Sequence, residues 1–280
     1  MRDNNQSQFP LYNSNNWLLQ HKKIVTSQLG EDGIIEKIFE IIPNQNHWCV
    51  EFGAGDGKRF SNTYNLINNC GWSSVQIEAN SRDYDLLASR YGEKNEVICL
   101  NKFISFDGEN TLDKVLQTTS IPVDFDFMSI DIDGNDYYIW YSLEVYHPKV
   151  VMIEFNPTIP HYIYHVQPKD QEVYHGSSLL ALQALGQKKG YELIASTEWN
   201  AIFVDSQYFP LFGIKDNSIW QMNHNYQFWT YVFQLYDGTI VVGGNNMMIW
   251  HDVEVHLPSI QELIQVLPPE QRKYPGRLFD

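Results

Sequence analysis

From Trp48 to Asp205 the chain repeats one pattern: a short apolar run, a polar turn, then a stretch with apolar residues at helical spacing. The runs are "WCVEFG", "SSVQIEA", "NEVICLN", "FDFMSIDI" and "KVVMIEFN", and the stretches between them include "SRDYDLLASRYG", "GENTLDKVLQTT" and "NDYYIWYSLEVY". A further helix is expected from about Arg59 to Asn69. Strands joined through helices run parallel, because a crossover returns the chain to the same end of the sheet. Helices then cover both faces, which suits runs that are apolar throughout. The runs "YELIASTE" and "NAIFVD" follow the helix "SSLLALQALGQKKG" and lie too close together to admit another, so they are expected to pair antiparallel. The expected fold is a Rossmann-like, doubly wound α/β sheet of seven strands, with ligands at the carboxyl ends of the strands.

Ahead of the first run, Ile34, Ile35, Ile38, Phe39 and Ile42 recur at helical spacing, Glu31 and Asp32 occupy the first turn, and Pro43 stops the helix. The chain divides into a polar, Asn-rich segment over 1–20, a sheet domain over 21–205 and an aromatic-rich C-terminal extension over 206–280. In the extension "YDGT" marks a turn between two strand-like runs. The extension is expected to cap the substrate side. Its Trp220, Tyr226, Phe228, Trp229, Tyr231 and Trp250 suit stacking on an acceptor, packing in the extension's own core, or the surface of a homo-oligomer.

The totals narrow the function classes. With 280 residues, 43% of them hydrophobic, the chain can bury a sizeable core. A formal net charge of -15 sets a repulsive field against polyanions, so neither nucleic acid nor an anionic membrane surface is an expected partner. No apolar run approaches the about 20 residues that span a bilayer, and the N-terminus has no signal-peptide core, so a soluble, cytoplasmic protein is expected. Cys49, Cys70 and Cys99 are an odd set in or beside core elements and are expected to be reduced, buried thiols.

The stretch "WCVEFGAGDGKRFSNTYNL" places Glu51 in an apolar strand, followed by Gly53, Gly55 and Gly57. Glycine weakens regular structure, so three at alternate positions are expected where the backbone must approach a ligand and turn sharply into a helix. A dinucleotide fingerprint would need a glycine where Lys58 stands, and the acidic Glu51 and Asp56 would repel a pyrophosphate. A cationic ligand such as S-adenosylmethionine, with its sulfonium and ammonium groups, suits them better. Glu78 ends the second run, 25 positions beyond Gly53, where a carboxylate can accept hydrogen bonds from both hydroxyls of a ribose.

At 25–205 these features combine with "SQLGEDGII", "GWSSVQIEAN", "FDFMSIDIDGNDYYIW" and "VVMIEFNPTIP" in a sequence that resembles the FkbM-type branch of class I S-adenosylmethionine-dependent methyltransferases. The resemblance implies the class I methyltransferase sheet and S-adenosylmethionine as cofactor. It implies that Glu51, Gly53 and Gly55 meet the methionine end and Glu78 the ribose. Ser27, Asn62 and Thr63 fall within the family's phrases, with Asn62 and Thr63 either touching the cofactor or stabilising the turn. The adenine pocket is expected near Asn101 to Ile104.

The fourth and fifth strands end in "SIDIDGND" and "IEFNP", which bring Asp131, Asp133, Asn135, Asp136, Glu154 and Asn156 toward one crevice. Asp136 and Asn135 are also ordinary residues for a helix cap and a turn. Asp131, Asp133, Glu154 and Asn156 form a candidate oxygen set for Mg2+, which can lower the pKa of a substrate hydroxyl. Many FkbM-type sequences carry D-x-E-G where this chain has "DIDGND", and a metal-free version would use Asp131 or a histidine as general base. Of the histidines in the loop "PTIPHYIYHVQPKDQEVYHG", His161 is the catalytic candidate beside Asp131, and the loop itself is a candidate lid. The expected activity is methyl transfer to a hydroxyl of a sugar or a small natural product. An amine methyltransferase and a non-catalytic nucleotide-binding module of the same fold remain open alternatives.

Overall fold

In the computed structural model, residues 15–274 are described. They form two compact units, one containing the residues up to Asn156 together with His161–His224, the other Pro157–Pro160 and the residues from Asn225 onward. Most of the polar segment expected over 1–20 lies outside the described residues; Trp17–His21 form a 3-10 turn.

The first unit is built on β1 (Trp48–Phe52), β2 (Ser73–Glu78), β3 (Val97–Asn101), β4 (Phe127–Ile130), β5 (Val150–Glu154), β6 (Tyr191–Ser196) and β7 (Asn200–Asp205). Its helices are α1 (Glu31–Ile41), α2 (Tyr64–Asn69), α3 (Ser81–Tyr91), α4 (Leu112–Leu116), α5 (Asp136–Ser142), α6 (Leu179–Lys188) and the short α7 (Ile219–Met222). The sheet order is β3-β2-β1-β4-β5-β7-β6, with every pairing parallel except those made by β7. This is the seven-stranded, doubly wound α/β sheet expected from the sequence. β7 runs antiparallel because only three residues separate it from β6, too few for a crossover.

Val50, Phe127, Met128, Ile130, Val150 and Val151 are fully buried, so the core lies on both faces of the central strands. That burial explains why β1, β4 and β5 read as continuous apolar runs. At the start of these strands a buried ion pair joins Lys149 to Asp126, whose other oxygen accepts the His47 N–H at 2.6 Å. Lys149 Nζ also donates to Asn44 O at 3.0 Å.

Two sequence expectations differ from the structure. The helix expected from Arg59 begins only at Tyr64, because Ser61, Asn62 and Thr63 are bound to Glu51 and cannot join it. Of the three free cysteines only Cys49 is buried; Cys70 is exposed and Cys99 half-buried. Among the described residues no helix is long and apolar enough to cross a membrane.

The second unit holds a hairpin of β8 (Thr230–Gln234) and β9 (Ile240–Gly244), joined by the expected "YDGT" turn, and a two-residue pair, β10 (Met247–Met248) with β11 (Val253–Glu254). Helix α8 (Leu257–Leu263) packs against β9.

Candidate functional site

The order in which the chain adds strands to the sheet reverses between β1 and β4, and register places the candidate residues in one row there. Phe52 pairs with Ile77 on one side and Ile130 on the other, and Ile130 pairs with Ile153. One residue further along each strand come Glu78, Gly53, Asp131 and Glu154, flanked by Asn101 opposite Glu78 and Asn200 opposite Glu154. A reversal point leaves a crevice because the connections from the two neighbouring strands depart in opposite directions.

The three glycines serve three different needs. All have positive φ, where a side chain is strained. A Cβ on Gly53 would lie 2.0 Å from Asp131 O, so this glycine lets the first turn lie against the end of β4. A Cβ on Gly57 would strike Leu87 at 2.5 Å, so it seats the turn on α3. At Gly55 a Cβ would meet nothing within 4 Å. Gly55 alone borders open space, and its N–H donates to Glu78 Oε2 at 2.7 Å. The other Glu78 oxygen accepts the Asn80 N–H at 2.7 Å. Two N–H donors thus fix the orientation of a carboxylate whose oxygens each keep a lone pair.

Asn101 donates its Nδ2 to Glu78 O at 2.8 Å and to Ala79 O at 3.2 Å, which ties the end of β3 to the turn after β2. Glu51 is committed to the chain itself. Its carboxylate accepts Ser61 Oγ at 2.6 Å, Thr63 Oγ1 at 2.7 Å and the Asn62 N–H at 2.8 Å. Burial raises its pKa, and the Ser61, Thr63 and Asn62 bonds oppose that rise. Asn62 reaches Ser129 Oγ on β4 at 3.2 Å, and Thr63 Oγ1 accepts Gln76 Nε2 at 2.9 Å. Ser27 is buried with its hydroxyl on Asp32 at 2.6 Å, and pairs with Phe60 through a parallel bridge.

Beyond Gly53 the carboxylates of Asp131, Asp133 and Glu154 converge, each offering an oxygen within 4.8 Å of the others. Asp133 adopts φ of 58°, an uncommon conformation for a non-glycine residue and a local strain at the cluster. Burial, and then the neighbouring carboxylates, holds Asp131 and Glu154 well above the ordinary carboxylate range. Oxygens this close could share one hard divalent cation, whose bonds to oxygen run from about 2.1 Å for magnesium to 2.3–2.6 Å for calcium. Asp136 does not join the three: its two oxygens accept the Ile132 N–H at 3.0 Å and the Gly134 N–H at 2.9 Å, fixing the turn. Asn156 binds His175 O through Nδ2 at 2.7 Å and so holds the long loop.

That loop is pinned by a residue with no sequence signature. Gln167, fully buried, donates Nε2 to Asn135 Oδ1 at 3.0 Å and Val173 O at 2.9 Å. Its Oε1 accepts the N–H groups of His175 and Gly176 at 3.0 and 2.9 Å. His161 lies buried, with Nε2 3.2 Å from Asn223 Oδ1 and its ring edge-on to Trp220 at 5.3 Å. Burial lowers its pKa to about 4, so it is neutral near pH 7 and a weak proton acceptor.

Asp32 and Glu31 also do more than begin a helix. Asp32 Oδ2 collects the N–H groups of Val25, Thr26 and Ser27 within 2.9 Å, and Glu31 Oε1 accepts Thr197 Oγ1 at 2.9 Å and Asn200 Nδ2 at 3.2 Å. The phrase "SQLGED" carries that network in the sequence.

No protein-family model and no curated protein matches the chain. Among solved structures, it is similar to the CMeT domain of the citrinin polyketide synthase, at 12% identity and a TM-score of 0.43, over 62% of this chain and 50% of that one. TrmK of M. capricolum, in complex with S-adenosyl-homocysteine, is similar at 10% identity and a TM-score of 0.38, over 61% and 67% of the two chains. The N-terminal domain of EvdMO1, in the presence of S-adenosyl-homocysteine and D-fucose, is similar at 11% identity and a TM-score of 0.39, over 62% and 82%. The match spans half the length of the citrinin synthase domain. At such identities and scores, the ligands and activities of those proteins say nothing of this chain's.

Proposed function

We propose that the chain is an S-adenosylmethionine-dependent O-methyltransferase of FkbM type that acts on a hydroxyl of a sugar or another small acceptor. The observation that carries the reading is the orientation of Glu78 by Gly55 N–H at the reversal point, beside the open space at Gly55. Glu78 would accept the ribose hydroxyls and the 53–55 backbone would lie along the methionine portion. Glu51 would act on that portion indirectly, through the Ser61–Thr63 segment it holds. This is the structural form of the S-N-T phrase, and it supports the FkbM-type assignment.

When bound, S-adenosylmethionine supplies a methyl group on a sulfonium. Asp131, next to the glycine turn, takes the proton of the acceptor hydroxyl, so the oxygen can form its bond to the methyl carbon while the carbon–sulfur bond breaks. Its raised pKa makes it a stronger base than an ordinary carboxylate. Asp131, Asp133 and Glu154 would hold a divalent cation such as Mg2+ with one oxygen each. Such a cation acidifies a bound hydroxyl. Asp131 is that base in the metal-free site; a bound cation would relieve the carboxylate repulsion behind its raised pKa, and the acidified hydroxyl would then need only a weak base.

The test is transfer of a labelled methyl group from S-adenosylmethionine to panels of hydroxylated and amine acceptors, with and without a chelator. The expected product is a base-stable ether, with turnover reduced by a chelator. Asp131→Asn is expected to lower turnover about 100-fold or more while leaving cofactor affinity within about twofold. Label found only on amines overturns the acceptor class, and equal loss of cofactor binding in Asp131→Asn overturns its role.

A further inference from the structure

The last ladder pair between β4 and β5 is Ile130 with Ile153, so Asp131, Asp133 and Glu154 all lie beyond the bonds that join those two strands. Three carboxylates that each bring an oxygen within 4.8 Å of the others repel one another, and other contacts must hold them at that spacing. On the β4 side the long loop lies against the turn. A Cβ on Gly134 would stand 3.0 Å from Val173 O and 3.2 Å from Gln167 Oε1. Asn135 occupies the N-cap position of α5, yet its side chain makes no cap bond. It turns to the loop instead, donating Nδ2 to Asp170 O at 3.1 Å and accepting Gln167 Nε2. On the β5 side Asn156, just beyond Glu154, donates its N–H to Ser177 O at 2.9 Å and its Nδ2 to His175 O. A Cβ on Gly176 would lie 3.3 Å from Asn156 Cβ.

Gln167 joins the two sides, one through each half of its amide. Nε2 holds Asn135, close after Asp133, and Oε1 holds the N–H groups of His175 and Gly176, which lie against Asn156. With Val173 O as the second acceptor for Nε2, both N–H bonds and both lone pairs of the amide are used. The Tyr138 hydroxyl donates to the Gln167 carbonyl at 2.8 Å, which ties its main chain to α5 as well. A buried amide so fully bonded keeps one orientation and relates the position of one strand end to the other.

We propose that Gln167 is a positioning residue of the carboxylate cluster, setting the spacing of Asp133 and Glu154 through Asn135 on one side and His175 and Gly176 on the other. This role rests on the reading of Asp131, Asp133 and Glu154 as holders of a divalent cation, and adds to it a selection among such cations. Magnesium takes near-ideal octahedral geometry at about 2.1 Å, whereas calcium accepts flexible geometry at about 2.3–2.6 Å. A site whose two halves are held at fixed spacing can favour the smaller ion, and loses that preference first when the halves drift.

The experiment is calorimetric titration of the full, metal-stripped chain with magnesium chloride and, separately, calcium chloride at equal ionic strength. Wild type is expected to bind magnesium. Gln167→Ala cuts both halves of the link, whereas Asn135→Ala cuts the β4 side and leaves Gln167 its loop bonds. Each variant is expected to weaken magnesium about tenfold or more and calcium about threefold or less. Circular dichroism and cooperative thermal unfolding show that a variant is folded, and if Gln167→Ala is not, Asn135→Ala decides alone. Equal loss of the two ions marks a general loosening and overturns the proposal, as does unchanged binding of both, while each leaves the cluster a cation site. Wild-type binding of calcium alone also overturns it. A folded wild type that binds neither ion overturns the cation reading itself, and the proposal with it.

Discussion

The three glycines after β1 look alike in the sequence and separate in the structure. Gly53→Ala drives a Cβ to 2.0 Å from Asp131 O, so it is expected to destabilise the fold by about 3 kcal/mol or more. Gly55→Ala meets no atom and is expected to cost only about 1 kcal/mol for its positive φ, while its methyl group enters the ligand crevice and weakens S-adenosylmethionine binding. Urea unfolding and cofactor titration of the two variants separate these effects. His161 supplies a pH test. Its folded pKa, about 4, lies below the ordinary histidine value, so between those values the unfolded chain binds the extra proton. Its contribution to stability is complete above about pH 6.5 and is lost as pH falls toward 4. Thermal midpoints measured across that window are expected to fall more steeply in wild type than in His161→Gln, and equal slopes would contradict the assignment.

At the scale of elements, legibility followed burial. The seven strands and the antiparallel β6–β7 pair were readable because central strands must be apolar throughout and three residues cannot form a crossover. The start of α2 was misread, because helical spacing carries no sign that Glu51 has claimed Ser61, Asn62 and Thr63. The row from Asn101 to Asn200 could be placed at strand ends, but the division of labour within it could not. Whether an acidic side chain is held by main-chain N–H groups beside open space, as Glu78 is, or is spent on the chain's own hydroxyls, as Glu51 is, depends on partners distant in sequence. Gln167 was invisible because a loop glutamine is ordinary until its four bonds are seen. Gln167→Ala is expected to leave global stability nearly unchanged but to make 161–178 cleavable by limited proteolysis, since His175 and Gly176 lose their acceptor. Asp126→Asn should be far costlier, about 3–5 kcal/mol by denaturant unfolding, because it leaves the buried Lys149 charge uncompensated.

For the whole molecule, a charge of -15 is compatible with a small cationic ligand and a divalent cation. If the cluster of Asp131, Asp133 and Glu154 holds Mg2+, the cation should raise the thermal midpoint of wild type more than that of Asp133→Asn, at equal ionic strength. Equal shifts would show only screening of the net charge. The central claim is that the sheet reversal, with Gly55 open and Glu78 oriented beside it, receives S-adenosylmethionine. Calorimetric titration of the purified, metal-stripped chain tests it, with NAD as the control ligand and Glu78→Ala as the control variant. The account predicts micromolar binding of S-adenosylmethionine, about tenfold or greater weakening in Glu78→Ala, and no binding of NAD. Binding of NAD instead, or of neither ligand by a folded wild-type chain, would contradict it.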